Sequence, residues 1–485
     1  MLRREFLKTS TLAAASVVAG IGPSLCAAAG ADRTKSRPNI LFIMSDDHAA
    51  HAIGAYGSRV NATPHIDRLA AEGMRFDHCF CTNSICAPSR AVILTGKYSH
   101  LNGVIDNGRK FDPTQQTFPK LLQQAGYQTA IVGKWHLKTE PMGFDYSNVL
   151  PGQGDYHDPV TIENGVRKQQ KGYVTDLITD IALRWIEDRP RDKPFLMMLH
   201  HKAPHANWEP DRKHAELFSK TDIPEPETFN DDYRTRTAQI EDHRLHVGRK
   251  QWELHFRRFG DIPEDVTDPE VRSWVYQVYM KHYLRCIASV DDNVGRVLDY
   301  LDDNGLRDNT VVIYTSDQGF FLGDHGLYDK RFMYEHSLRM PLLVRYPPEI
   351  ERGSVADEMV LNLDVAATLL DYAETPVPRD IQGRSSRAIA RGQTPQNWRT
   401  AMYYRFYESA FGVGPHEGIR TQRYKLIHFL YGDRGWELYD LERDPSEMDN
   451  VYGRPGHERL IADLKTELQA LKQTYGVPPD KASSP

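Results

Sequence analysis

The chain is poor in cysteine, with five residues in 485. That is too few for a disulfide scaffold, so the fold must rest on a buried apolar core. Basic charge is not in excess: 60 Lys and Arg stand against 66 Asp and Glu, a net charge of −6. This argues against a nucleic-acid partner of the electrostatic kind. The 34 Gly and 29 Pro follow no period, which excludes collagen and points to long ordered loops. No apolar run reaches the roughly 20 residues that a spanning helix needs, so no stable membrane insertion is expected. What is present is ordinary globular composition, 40% hydrophobic and 26% charged, and this argues against wholesale disorder. A chain of this length exceeds one hydrophobic core, so two domains are expected, one of them large.

The first thirty residues read as a processing segment. Arg3-Arg4-Glu5-Phe6-Leu7-Lys8 precedes a short apolar stretch and an Ala-rich exit near Ala29, the anatomy of an export signal. The paired arginines resemble a twin-arginine signal, which implies the twin-arginine export machinery as a partner. Gly20 and Pro23 would break an ordinary helix here. Leu25 before Cys26 is a poor fit to a lipoprotein. Residues 1–29 are therefore expected to be removed, leaving a periplasmic or secreted bacterial protein. Four cysteines remain, at 79, 81, 86 and 286. A disulfide is possible in an oxidising compartment, but Cys79 and Cys81 alternate on a predicted strand and point to opposite faces.

Apolar runs at 39–44, 128–132, 195–199, 310–314 and 342–344 read as strands buried on both faces. Met74 to Cys81 reads as a further strand. Helical patterns lie between these strands, at 64–72, from Pro88 or Ser89 to Thr95, and at 118–125, 174–187, 275–301 and 363–372. This alternation predicts an α/β domain with a largely parallel sheet over 37–378. Residues 208–271 are polar and read as a long irregular insertion. After Pro378 the rhythm changes. Strands at 419–429 and 436–441 and a helix at 459–471 predict a smaller α+β domain over 379–485.

In open α/β sheets, ligands collect at the carboxyl ends of the strands. Two such ends echo each other: Ser45-Asp46-Asp47 and Ser316-Asp317-Gln318. Three carboxylates and an amide carbonyl suit a hard divalent cation such as Ca²⁺. A capping role would explain one Asp alone; both pairs after apolar strands favour a metal. Cys86-Ala87-Pro88-Ser89-Arg90 sits at a predicted helix start, where the helix dipole favours anions and thiolates.

Cys86-x-Pro88-Ser89-Arg90 followed by Leu94-Thr95-Gly96 resembles the signature of the type I sulfatases. The resemblance runs from about Pro38 to Tyr452 and implies an alkaline-phosphatase-like fold. It implies that Cys86 is oxidised to formylglycine by a formylglycine-generating enzyme, and that the hydrated aldehyde attacks the sulfur of a sulfate ester. Asp46, Asp47 and Asp317, with the modified Cys86, match the metal ligands, and Gln318 stands where the family has Asn or His. Gly133-Lys134-Trp135-His136, Ala203-Pro204-His205 and Asp329-Lys330 match further motifs. Arg90, Lys134, His136, His205 and Lys330 thereby become catalytic candidates: Arg90 for the nucleophile, both lysines for the sulfate oxygens, His205 for the leaving group and His136 for sulfate release. His200 is expected in the sheet and His201 at the pocket edge. Ser316 to Gly326 and the segments 418–428 and 436–440 look most like sulfatases of N-acetylglucosamine-6-sulfate and related glycans. Trp208, His325 and His428 are candidates for the sugar, although loop packing would equally explain them. A phosphonate or phosphodiester hydrolase and a non-catalytic Ca²⁺-dependent glycan-binding protein are the competing readings.

Overall fold

The computed structural model describes residues 37–479 apart from 59, 242 and 263–265; the expected export signal lies outside the described residues. Ten strands form the main sheet: β1 (Asn39–Ser45), β2 (Met74–Phe76), β3 (Gln128–Lys134), β4 (Tyr146–Leu150), β5 (Val160–Glu163), β6 (Val166–Gln169), β7 (Phe195–His201), β8 (Thr310–Ser316), β9 (Leu342–Arg345) and β10 (Ser354–Ala356). Their order is β10-β2-β9-β8-β1-β7-β3-β4-β5-β6. The five central strands, β8 to β4, are parallel, and the antiparallel pairings lie toward the edges. This is the mixed, mostly parallel sheet that the alternating pattern predicts. Every residue of β1, β7 and β8 is buried, as helices on both faces require.

The register decides what meets at the carboxyl edge. Ser45 pairs with Ser316 on one side and with His201 on the other. The residues that follow these three strands therefore emerge side by side. Gly133, just before the end of β3, pairs with His200. Its φ is +107°, and a Cβ placed there would sit 1.9 Å from the His200 carbonyl oxygen. Only glycine fits, and the close approach sets the position of Lys134. Gly133→Ala is expected to cost about 2–4 kcal/mol and to depress activity by displacing Lys134. Urea unfolding together with an activity assay checks both effects.

Some elements differ from the sequence expectation for local reasons. The helix expected from Pro88 or Ser89 begins at Cys86 and runs to Thr95; Pro88 is tolerated because its missing N–H belongs to the unsatisfied first turn. The long helix begins at Asp268, not Val275, and ends at Asp303. Thr267 and Glu270 form a capping box there, with Thr267 Oγ1 donating to Glu270 at 2.7 Å. The expected strand 74–81 is broken into Met74–Phe76 and Cys79–Phe80, which join different sheets. The four described cysteines are buried and free of disulfides.

The C-terminal part is a four-stranded antiparallel sheet, β11 (Ala401–Phe406), β12 (His416–Thr421), β13 (Tyr424–Phe429) and β14 (Trp436–Asp440), with a helix at Glu458–Thr474. The expected strand 419–429 is a hairpin, because Thr421 Oγ1 accepts the N–H of Tyr424 at 2.8 Å and turns the chain. This sheet holds part of the catalytic edge in place. Arg420 and Lys425 reach Glu335 at 3.0 and 2.8 Å, and Lys425 also pairs with Glu447 at 2.6 Å. Glu335 follows the loop that carries Lys330. Among the described residues no helix is long and apolar enough to cross a membrane.

Candidate active site

Three strand ends and one helix start converge. Asp46 and Asp47 follow β1, Asp317 and Gln318 follow β8, Lys134 ends β3, and Cys86 opens the helix Cys86–Thr95. One oxygen from each of Asp46, Asp47 and Asp317 lies within 4.8 Å of the others, and all three residues are buried. The Cys86 Sγ lies 3.5 Å from Asp46 Oδ1 and 3.7 Å from Gln318 Nε2. Arg90, one turn along the same helix, donates from Nε to Asp317 Oδ2 at 3.0 Å and from Nη1 to the Lys134 carbonyl at 2.7 Å. Its Nη2 is 3.5 Å from Asp46. Lys134 contacts the Asp46 carboxylate. Lys330 spans both Asp47 oxygens at 2.6 and 2.7 Å. Ser89 donates to the Asp317 carbonyl and accepts from Asn362 at 2.8 Å, pinning the strand end to the helix.

The electrostatics follow from this packing. Burial pushes Asp47 up to about 6; Lys330 pulls it down and Asp317 adds to the rise. Buried carboxylates this close call for a positive counter-charge. Burial pulls Lys330 down, but Asp47 together with Cys86 and Asp329 more than offsets it and holds the lysine well above its usual range. Burial pushes Lys134 well below that range. The Cys86 thiol is pushed up to about 12 by burial, with Lys330 opposing. The helix start therefore does not yield the thiolate that sequence position favours; desolvation outweighs the helix dipole.

His205 lies 3.7 Å from Asp47 through Nε2, while its Nδ1 faces the Ala206 carbonyl at 2.7 Å. Burial and then the cations Lys134, Lys330 and Lys202 push it well below the usual histidine range, so it is neutral. Its single hydrogen sits on Nδ1, leaving a lone pair on Nε2 toward Asp47 and the pocket. His136 is also neutral, lowered to about 2 by burial and by Lys134, and its Nδ1 is buried without a hydrogen-bond partner among the described residues. It lines an adjoining cavity of about 950 Å³ that shares Gln153 with the catalytic pocket.

The catalytic pocket is small, about 220 Å³. Asp47, Cys86, His205, Trp208 and Lys330 line it. Trp208 is a fully buried wall, packed against Phe256 at 5.4 Å and Tyr279 at 4.8 Å. His325 does not line the pocket: it is buried between Asp231 at 3.0 Å and Arg236 at 2.9 Å, bracing the insertion. His428 stacks on Trp436 at 3.9 Å in the C-terminal sheet, also away from the pocket. His201 is buried at the end of β7 and is not at the pocket edge, because the parallel register encloses it. Sequence reasoning passed over Asn107, Gln153, His255, Arg331 and Phe411, which also line the pocket. They come from separate loops and carry no local pattern; only Arg331, next to Lys330, had a neighbour to mark it.

This is the edge of a hydrolase built on a parallel sheet, with an acidic cluster, a buried cysteine and cations for an anionic group. The model of the family described as "Sulfatase" matches residues 38–375, and a second, described as "N-sulphoglucosamine sulphohydrolase, C-terminal", matches residues 323–474. The chain belongs to the sulfatase family and is a sulfuric ester hydrolase. It is 44% identical to the N-acetylglucosamine-6-O-sulfatase of Bacteroides thetaiotaomicron, over 94% of this chain and 90% of that one. The solved structure of BT4656 in complex with its substrate D-glucosamine-2-N,6-O-disulfate superposes with a TM-score of 0.88 at 43% identity, covering 92% of this chain and all of that one. The phosphonate monoester hydrolase of Agrobacterium radiobacter shares the fold, with a TM-score of 0.72 at 21% identity over 90% and 97% of the two chains.

Proposed function

We propose that the protein hydrolyses the 6-O-sulfate ester of N-acetylglucosamine or a closely related glucosamine. In this reading it works with a formylglycine made from Cys86 and a Ca²⁺ held by Asp46, Asp47, Asp317 and Gln318. The observation that carries the substrate is the 44% identity to an N-acetylglucosamine-6-O-sulfatase along almost the whole chain.

The residues present fit both groups. Three buried carboxylates are a hard oxygen set. Gln318 Nε2 faces the Asp47 carboxylate, and its Oε1 is buried with no hydrogen-bond partner among the described residues, so a flip of the amide would offer that orphan oxygen to a cation. The thiol of Cys86 is the misfit: it is soft, and burial keeps it protonated. An oxygen-bearing side chain at that position suits the set better. When present, formylglycine supplies an oxygen nucleophile and Ca²⁺ supplies positive charge beside it.

The chain's own residues do the rest. Arg90 holds Asp317 in place and adds its charge beside Asp46. In this reading Lys330, on the pocket wall, and Lys134, buried against Asp46, neutralise the sulfate oxygens as charge redistributes. Burial first and then three lysines keep His205 neutral, and the sulfate offsets the lysines. In this reading the bound sulfate favours a proton on His205 Nε2, which passes it to the departing sugar oxygen. His136 keeps a lone pair to accept a proton during sulfate release. The export signal read in residues 1–29 supports action in the periplasm or outside the cell, with 37–378 as catalytic domain and 379–485 as its companion.

A panel of defined sulfated monosaccharides tests the substrate. Hydrolysis of 6-sulfated N-acetylglucosamine is expected to exceed that of the 3-sulfated and 4-sulfated isomers by about 100-fold or more in kcat/KM. Faster cleavage of a phosphonate monoester or a phosphodiester than of any sulfate would sink the reading.

A further inference from the structure

A cavity of about 760 Å³ adjoins the catalytic pocket, and Phe411 lines both. One wall is Ala238, Gln239, His243, Arg244 and Lys250 of the insertion, and the other is the loop pair 409–414 and 431–433 of the C-terminal part. We propose that this cavity binds the sugar residue next to the one being desulfated, and that Arg244 and Lys250 hold an anionic substituent on it. The substrate of the intact enzyme is then an anionic oligosaccharide. This rests on the sulfatase reading above and names the substrate class more closely.

Four observations support it. First, the catalytic pocket, at about 220 Å³, is less than a third the size of this cavity, so the larger space lies outside it. Second, Phe411 stands at the junction, 37% exposed, with the Arg331 guanidinium 4.7 Å from its ring centroid on the catalytic side. An exposed aromatic face beside a sugar pocket suits the apolar face of a pyranose. Third, Arg244 and Lys250 are exposed on the cavity wall, and neither side chain is engaged in a hydrogen bond or ion pair among the described residues. Among the described residues Asp433 is the single acidic one in the lining, so the described rim favours an anion. Fourth, the Arg244 backbone N–H donates to the Phe411 carbonyl at 2.7 Å, which fixes the cation's backbone relative to that of the ring.

The test compares 6-sulfated N-acetylglucosamine as a monosaccharide with oligosaccharides that carry it at one end. The neighbouring sugar is neutral in one oligosaccharide, sulfated in another and carboxylated in a third. The wild-type enzyme is expected to prefer an oligosaccharide with an anionic neighbour over the neutral one by about tenfold in kcat/KM. Which of the two anionic arms responds identifies the substituent. Arg244→Ala combined with Lys250→Ala should erase that preference through KM, while monosaccharide turnover changes less than about twofold. Equal loss on every substrate, or no preference in the wild type, overturns the inference. So does loss of the preference in Lys110→Ala with Arg167→Ala, which would put the chain in the cavity of about 950 Å³ on the other side. If no sulfated sugar at all is turned over, it is the sulfatase substrate reading that has failed.

Discussion

Cys86→Ala is expected to lower sulfate-ester hydrolysis by about 10⁴-fold or more while leaving the fold intact. The side chain is small and buried at the first position of its helix, and alanine is a better helix former. Among the described residues its polar contacts are long, at 3.5 and 3.7 Å, so little packing or hydrogen bonding is lost. Cys86→Ser sharpens the test. A serine hydroxyl is an oxygen donor of the right size but lacks the second oxygen of a hydrated aldehyde. It should keep stability and substrate affinity while losing turnover. Activity is measured with a chromogenic sulfate, and intact-mass analysis reports whether the thiol has been converted in the wild type. Full activity in the alanine variant would refute the assignment of residue 86 as nucleophile.

Asp317→Asn is the second large effect. The carboxylate accepts from Arg90 at 3.0 Å and belongs to the three-carboxylate cluster. Asparagine keeps the shape and removes the charge, so calcium affinity is expected to fall at least about 100-fold and kcat about 10³-fold. Arg90 would lose its main partner while buried, which costs about 3–5 kcal/mol unless Asp46 takes over the pairing. Two measurements separate these effects. Calcium should raise the unfolding temperature of the wild type, as a ligand of the native state must, and should not raise that of the variant. A chelator should inactivate the wild type reversibly. An Asp317→Asn protein that still gains stability from calcium would show that the cation lies elsewhere.

Much of this site was legible as sequence because its ingredients are local. Asp46-Asp47 and Asp317-Gln318 each directly follow a buried apolar strand, and Cys86 to Arg90 fall within one helical turn and its neighbour. A strand that ends in polar residues announces itself without knowledge of its partners. The same logic failed for His325 and His428. Each looked like a sugar ligand on its own segment, yet Asp231 and Arg236 from the distant insertion claim His325, and Trp436 covers His428.

Residue order alone determined the alternating strand and helix pattern, the acidic strand ends and the cysteine motif, because each depends on periodicity and on neighbours in the chain. That Asp46 and Asp317 share one site is already expected from the sequence; only the tertiary structure decided the register that brings them together, with Ser45 meeting Ser316 across two parallel strands. It also decided the protonation of the site. Burial raises the Cys86 thiol and lowers His136 and His205, and desolvation is a property of everything packed around a group.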